Sequence, residues 1–344
     1  MSPERITGRQ CFFLLFLFLL GNLVTGAGAK GAQSGWVLLL MLTGITIPVL
    51  LLYIKAAAGR KAGSVFTEAF GQKTGGLLTA LYCALAVLMA GDAIRVFADF
   101  LVINDLNDAG ALGNSALLSV CVFLLLCCNT RSLAKAAWIV FPIVFLFLVG
   151  SLATSLKVID LHRLLPLFQE DPRLLGKRLL SSFAAGAAPA FFPIAALSSD
   201  DEHGRKKGYL WAGLLSGVLL AALTLRDTAV LGAPAVSRFR FPVYAAAAVR
   251  RHSEVLISAA FVLAQPFRAA LCLRYVQECL FQWKPKRKKW YPLLLLGLAV
   301  LSGALSWSSQ QVRWRTTGEW IISVFLIAGP LLAVLTARSR ARRT

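Results

Sequence analysis

Arg268 lies near the middle of an apolar run from Val255 to Phe281, just after Gln265-Pro266-Phe267. A charge that deep in a bilayer costs from about 3 to more than 10 kcal/mol. Arg268 must therefore face the interior of a helix bundle. It reads as a fixed cation beside the ligand site, either neutralising a carboxylate or standing where a transporter would hold sodium, or else as a structural arginine tied to backbone carbonyls. Gln265, one turn away, shares either role. Asp92, Arg95 and Asp99 fall on one helical face, at i, i+3 and i+7. They form either a proton or ion relay, with Asp92 the deepest member, or a self-compensating cluster. Pairing within the helix favours the cluster. Arg274 and Glu278, at i and i+4, read as an interfacial ion pair.

Backbone groups are the other source of chemistry. Gly21-Asn22 and Thr25-Gly26-Ala27-Gly28 interrupt one apolar run, and Gly186, Pro189 and Pro193 interrupt another. Glycine weakens a helix interior by about 1 kcal/mol relative to alanine, and proline removes a donor. A broken helix is tolerated in hydrocarbon only where protein covers it or it lines a cavity. The freed N–H groups attract a carboxylate, and the freed carbonyls attract an ammonium. An amino acid carries both. Gly26, Gly28 and Gly186 would let such a ligand approach the backbone.

Other chemistries find no support. The seven cysteines read as small, buried, reduced hydrophobes, and the three histidines, His162, His203 and His252, fall in linkers. No metal-ligand spacing and no cofactor fingerprint are seen. Asp200-Asp201-Glu202-His203 reads as a solvated loop beside Arg205-Lys206-Lys207. Gly71-Gln72-Lys73-Thr74 lacks the earlier glycine of a phosphate loop. Without a nucleophile and base arrangement, the chain is not expected to be an enzyme.

The elements that must hold these residues are membrane helices. The chain has 344 residues, 58% hydrophobic, with a mean hydropathy of +0.70. At roughly 20 apolar residues per crossing, it predicts an all-α integral membrane protein of about ten helices. These run from about Gln10 to Ala29, Gly35 to Ile54, Gly76 to Ile103, Ser115 to Cys128, and Ala134 to Leu156. The second five run from about Leu179 to Leu197, Tyr209 to Leu225, Val255 to Phe281, Trp290 to Trp307, and Trp320 to Ala337. The net charge of +20 resides in short loops, where it sets topology and meets anionic membrane lipids rather than nucleic acid. The distribution of Lys and Arg places both termini in the cytoplasm. Breaks in the first and sixth of ten helices predict a five-plus-five inverted repeat within one transmembrane domain, 1–157 and 158–344. Close packing of small residues would also account for them.

The chain resembles the B subunit of bacterial spore germinant receptors, the GerAB-type proteins of the amino acid–polyamine–organocation transporter superfamily. The resemblance rests on Ile6-Thr7-Gly8-Arg9-Gln10 before the first apolar run, Ser34-Gly35-Trp36, and Phe70-Gly71-Gln72-Lys73-Thr74-Gly75 with Tyr82. It continues in Phe141-Pro142-Ile143, Leu164-Leu165-Pro166-Leu167, Leu231-Gly232 and Phe241-Pro242-Val243-Tyr244. The resemblance implies nutrient sensing in the spore inner membrane, with an A subunit and a C-subunit lipoprotein as partners. It also implies a germinant held between the first, third, sixth and eighth spans. By position that points to Gly21, Asn22, Thr25, Gly26, Met89, Ala185, Gly186 and Gln265. A secondary amino acid transporter of the same superfamily is the alternative.

Overall fold

Thr7 opens the first helix. Its hydroxyl accepts from the Gln10 N–H at 3.4 Å, and the Gln10 side chain accepts from the Thr7 N–H at 3.0 Å. This reciprocal cap satisfies two donors that a helix start leaves open. The computed structural model describes residues 6–21, 33–104, 110–165, 171–185, 187–197, 202–250, 253–283, 290–305 and 324–336.

Among the described residues the chain is helical, without β-strand. The first half runs α1 (Gly8–Leu20), α2 (Gly35–Ala57), α3 (Ser64–Phe70), α4 (Gln72–Ile103), α5 (Gly110–Cys127) and α6 (Thr130–Ser155). The second half runs α7 (Pro172–Ala185), α8 (Phe191–Ala196), α9 (Glu202–Leu231), α10 (Ala233–Arg238) and α11 (Pro242–Ala248). It closes with α12 (Glu254–Trp283), α13 (Tyr291–Leu305) and α14 (Val324–Thr336). Helix occurs in each expected span. Six described helices, α2, α4, α5, α6, α9 and α12, are long and apolar enough to cross a membrane, while α1, α13 and α14 are shorter.

The sixth span is broken, as its prolines require. α7 stops at Ala185, a 3-10 turn occupies Ala188–Ala190, and α8 follows at once. Gly71 is a second hinge. Its φ of 85°, costly for any residue with a Cβ, turns the chain from α3 directly into α4.

The bundle has two ends. Gly8 abuts Gly204, and Gly208 abuts the Gly8 carbonyl, so α1 and α9 start together. Gly63 near Cys279 and Gln282 brings the α12 terminus to that same end. Phe100, Phe241 and Tyr244 mark the other end, where α4 finishes and α11 lies. α12 is the hub. It packs on α1, α4, α5, α6, α8, α11 and α13, and its apolar stretch is far more deeply buried than that of α6.

Several expectations need correction. α9 begins at Glu202, so Glu202, His203 and Arg205 to Lys207 lie in its opening turns rather than in a loop. α9 also continues through Arg226 to Leu231, although Arg226 reads as the start of an outer loop in the sequence. Cys121, Cys127 and Cys128 are exposed on the protein surface, unlike buried Cys11, Cys272 and Cys279.

Candidate functional site

The first helix stops at a close contact. The Gly21 N–H donates to the carbonyls of Leu17 and Leu19 and closes α1. A Cβ at Gly21 would lie 2.7 Å from Cδ and 2.9 Å from Cβ of Arg268. Only glycine lets α1 end against that side chain. Arg268 is 4% exposed and faces the bundle interior, as its depth in the apolar run demands.

Gln265 stands on α12 one turn before Arg268. It is fully buried, and neither its amide nitrogen nor its amide oxygen has a hydrogen-bond partner among the described residues. An orphaned buried polar group costs about 1–3 kcal/mol, so an unoccupied Gln265 destabilises the bundle. Pro266, inside α12, deprives the Val262 carbonyl of its intrahelical donor. α12 thus presents a donor, two acceptors and a guanidinium within two turns, beside the end of α1. α8 packs on both α12 and α1, bringing the break in the sixth span to the same region.

The remaining expected residues fall as follows. Met89 is half-buried on α4, packed against the core. Ala185 is the last residue of α7. Asn22, Thr25, Gly26, Gly28 and Gly186 lie outside the described residues. Asp92 is half-buried on α4. Arg95 Nε meets Asp99 Oδ2 at 3.3 Å, and Asp99 also pairs with Arg240. That pairing agrees with a compensated cluster. Arg274 pairs with Glu278 at 3.3 Å and donates to the Cys128 carbonyl and Thr130 Oγ1, tying α12 to the α5–α6 junction.

Sequence reasoning missed the most deeply buried arginine. Arg226 is fully buried and Asp227 is 2% exposed. Arg226 donates to Asp227 Oδ1 at 2.6 Å, to the Val243 carbonyl at 2.7 Å and to Ser151 Oγ at 2.7 Å. The network joins α6, α9 and α11. An apolar pattern continuing past Asp227 to Leu231 was the available signal.

Aromatic side chains fill the Gly8 end. Around Phe191, the residue after the break in the sixth span, stand Tyr82 at 5.2 Å, Tyr53 at 5.5 Å, Phe66 at 5.8 Å and Tyr275 at 5.9 Å. Tyr82 donates to the Phe325 carbonyl at 2.7 Å. At the other end Phe100 contacts Phe241, Tyr244 and Phe261.

The fold is similar to that of the crystal structure of MhsT in complex with L-phenylalanine. The TM-score is 0.69 at 17% identity, over 96% of this chain and 89% of that one. Among curated protein sequences none matches this chain. Residues 5–249 match the family described as spore germination protein, the spore permeases. The family is one of permeases, in keeping with an integral membrane protein built of apolar helices. With well over half its length matched, the chain belongs to the spore germination protein family.

Proposed function

We propose that this protein is the membrane subunit of a spore germinant receptor, and that it senses a small nutrient of the amino acid class. The observation that carries the reading is Gln265: fully buried, unpartnered at both amide atoms among the described residues, and one turn from an arginine pressed against the end of α1. The ligand's carboxylate goes to Arg268 or to backbone N–H groups at the helix breaks. Its ammonium goes to Gln265 Oε1 and the freed carbonyls. Asn22, Thr25, Gly26, Met89, Ala185 and Gly186 complete the site. The reading includes a five-plus-five inverted repeat, both termini in the cytoplasm, residence in the spore inner membrane, and partnership with an A subunit and a C-subunit lipoprotein. The role is binding and signalling, without enzymatic chemistry. Ligand binding shifts the broken helices, and α8 carries the shift to the rest of the bundle.

A second reading, a secondary amino acid transporter, draws support from the likeness to MhsT, whose structure holds L-phenylalanine. Solute uptake by the isolated protein in vesicles would favour it.

The test is thermal stability of the purified protein against the twenty amino acids. A ligand present at 100 times its Kd adds about 2.7 kcal/mol, and the melting temperature rises accordingly. Gln265→Met should abolish that rise while the ligand-free protein melts at or above the wild-type temperature, because the orphan amide is gone. An undiminished rise in Gln265→Met would remove Gln265 from the site. Because Arg268 supplies the fixed cation, the rise should be the same in sodium and potassium buffers; dependence on sodium would sink that assignment.

A further inference from the structure

We propose that a crevice between α4, α5 and α13, separate from the site above, holds one acyl chain of a membrane phospholipid. The crevice has a volume of about 570 Å³. Val120 and Phe123 of α5 and Leu293, Leu296 and Val300 of α13 make its walls apolar, and Arg95 of α4 also lines it.

Its origin is a close helix crossing. A Cβ on Gly91 of α4 would lie 2.9 Å from the Gly303 nitrogen of α13. Small residues let two helices touch at one level, and the crevice lies beside that level, between α4, α5 and α13. α5 closes one side and leaves a wedge. Leu112, Val120 and Leu293 at its rim are 76%, 59% and 55% exposed, so the wedge opens toward hydrocarbon.

Length and polarity select the occupant. From Leu293 to Gly303 the crevice follows α13 for about 15 Å at 1.5 Å per residue. That is half of the ~30 Å hydrocarbon core, the depth of one leaflet. The serine hydroxyls on the wall donate into their own helix, Ser115 to the Ala111 carbonyl at 2.8 Å and Ser119 to the Ser115 carbonyl at 2.7 Å. The serines therefore need no water, and the wedge favours an apolar guest. Arg95 lies with Leu112 and Ser115 toward the Phe100 end. Its guanidinium is engaged by Asp99 at 3.3 Å, which leaves the apolar length between Phe123 and Leu293 to the guest.

The test uses phospholipid vesicles carrying a trace of phosphatidylcholine with a diazirine midway along one acyl chain. After illumination, adducts are mapped by mass spectrometry. Labelling at Val120, Phe123 and Leu296 should exceed labelling of the exposed α6 residues Ile139 and Leu146 by about tenfold, equivalent to 1.4 kcal/mol of retention. Ala116→Trp, or Leu296→Trp from the facing wall, should reduce crevice labelling to the α6 level. Equal labelling of both faces in the wild type would overturn the proposal, as would enrichment that both tryptophan variants leave unchanged. Loss of crevice labelling in the complex with partner subunits, with α6 still labelled, would assign the wedge to a protein helix instead.

Discussion

The two ends of this bundle are closed by different chemistry. At the Gly8 end, rings from α2, α3, α4, α8 and α12 gather around Phe191. At the Phe100 end, a smaller aromatic set is bound by charge: Arg226 joins Asp227, Ser151 and Val243, and Asp99 bridges Arg95 and Arg240. Lipid is as apolar as a phenylalanine ring, so burial among rings gives little net drive and packing does the holding. A buried ion pair is the reverse case: intact it roughly offsets its own desolvation, and half removed it is severely destabilising. The first end can therefore repack in small steps, and the second must stay whole. The repacking end is also continuous with the broken sixth span, since α8 opens at Phe191. A ligand-driven shift at the break is thus expected to travel toward the rings, while the charged end stays as a fixed frame.

The largest effect should come from breaking that frame. Arg226→Met leaves Asp227, 2% exposed, without its guanidinium. The cost is about 3–5 kcal/mol, seen as a large drop in the melting temperature of the solubilised protein. The double change Arg226→Met with Asp227→Leu should recover most of it, because no charge is then stranded. A single variant that melts like wild type would remove the contrast between the two ends.

Arg226 also shows where the sequence stops being legible. Helical spans can be read because each is a long apolar run, and the break in the sixth can be read because Pro189 and Pro193 dictate it. An Arg-Asp pair at the edge of an apolar run looks the same whether it ends a helix in water or sits inside one. Only the continuation Thr228-Ala229-Val230-Leu231 and the terminating Gly232, with φ of 81°, distinguish the two. The candidate site divides similarly. Arg268 and Gln265 stand out by type and depth, and Gly21 by breaking a helix. That Gly21 touches Arg268 depends on a crossing of α1 and α12 that no local pattern encodes. The ring cluster is less legible still, since aromatic residues are ordinary members of an apolar span until the fold converges them.

At the repacking end smaller effects are expected. Phe191→Ala opens a void, but the lost side chain gives up packing rather than shelter from water. That places the cost at the low end of the usual range, about 3 kcal/mol, with no dependence on ionic strength. Tyr53→Phe should have the opposite sign. The Tyr53 hydroxyl is fully buried without a hydrogen-bond partner among the described residues, and its removal should stabilise the protein by about 1 kcal/mol. A destabilised Tyr53→Phe would mean that the hydroxyl is satisfied in the working protein, and that the ring cluster carries a polar constraint after all.

The smallest effect separates the two kinds of charge within the Phe100 end. Arg240 pairs with Asp99, yet its side chain is 46% exposed, against 1% for Arg226. Water and salt screen an exposed pair. Arg240→Gln should therefore cost less than about 1 kcal/mol, and the loss should shrink as ionic strength rises. Arg95 remains beside Asp99 at 3.3 Å, so no carboxylate is stranded by the change. The Arg226→Met penalty, in contrast, should hold at high salt, because its counter-charge is out of reach of mobile ions. Unfolding of both variants at low and high ionic strength makes the comparison. If Arg240→Gln were as costly as Arg226→Met and equally indifferent to salt, Asp99 would belong to the buried frame, and α11 would be clamped from α4 as firmly as from α9.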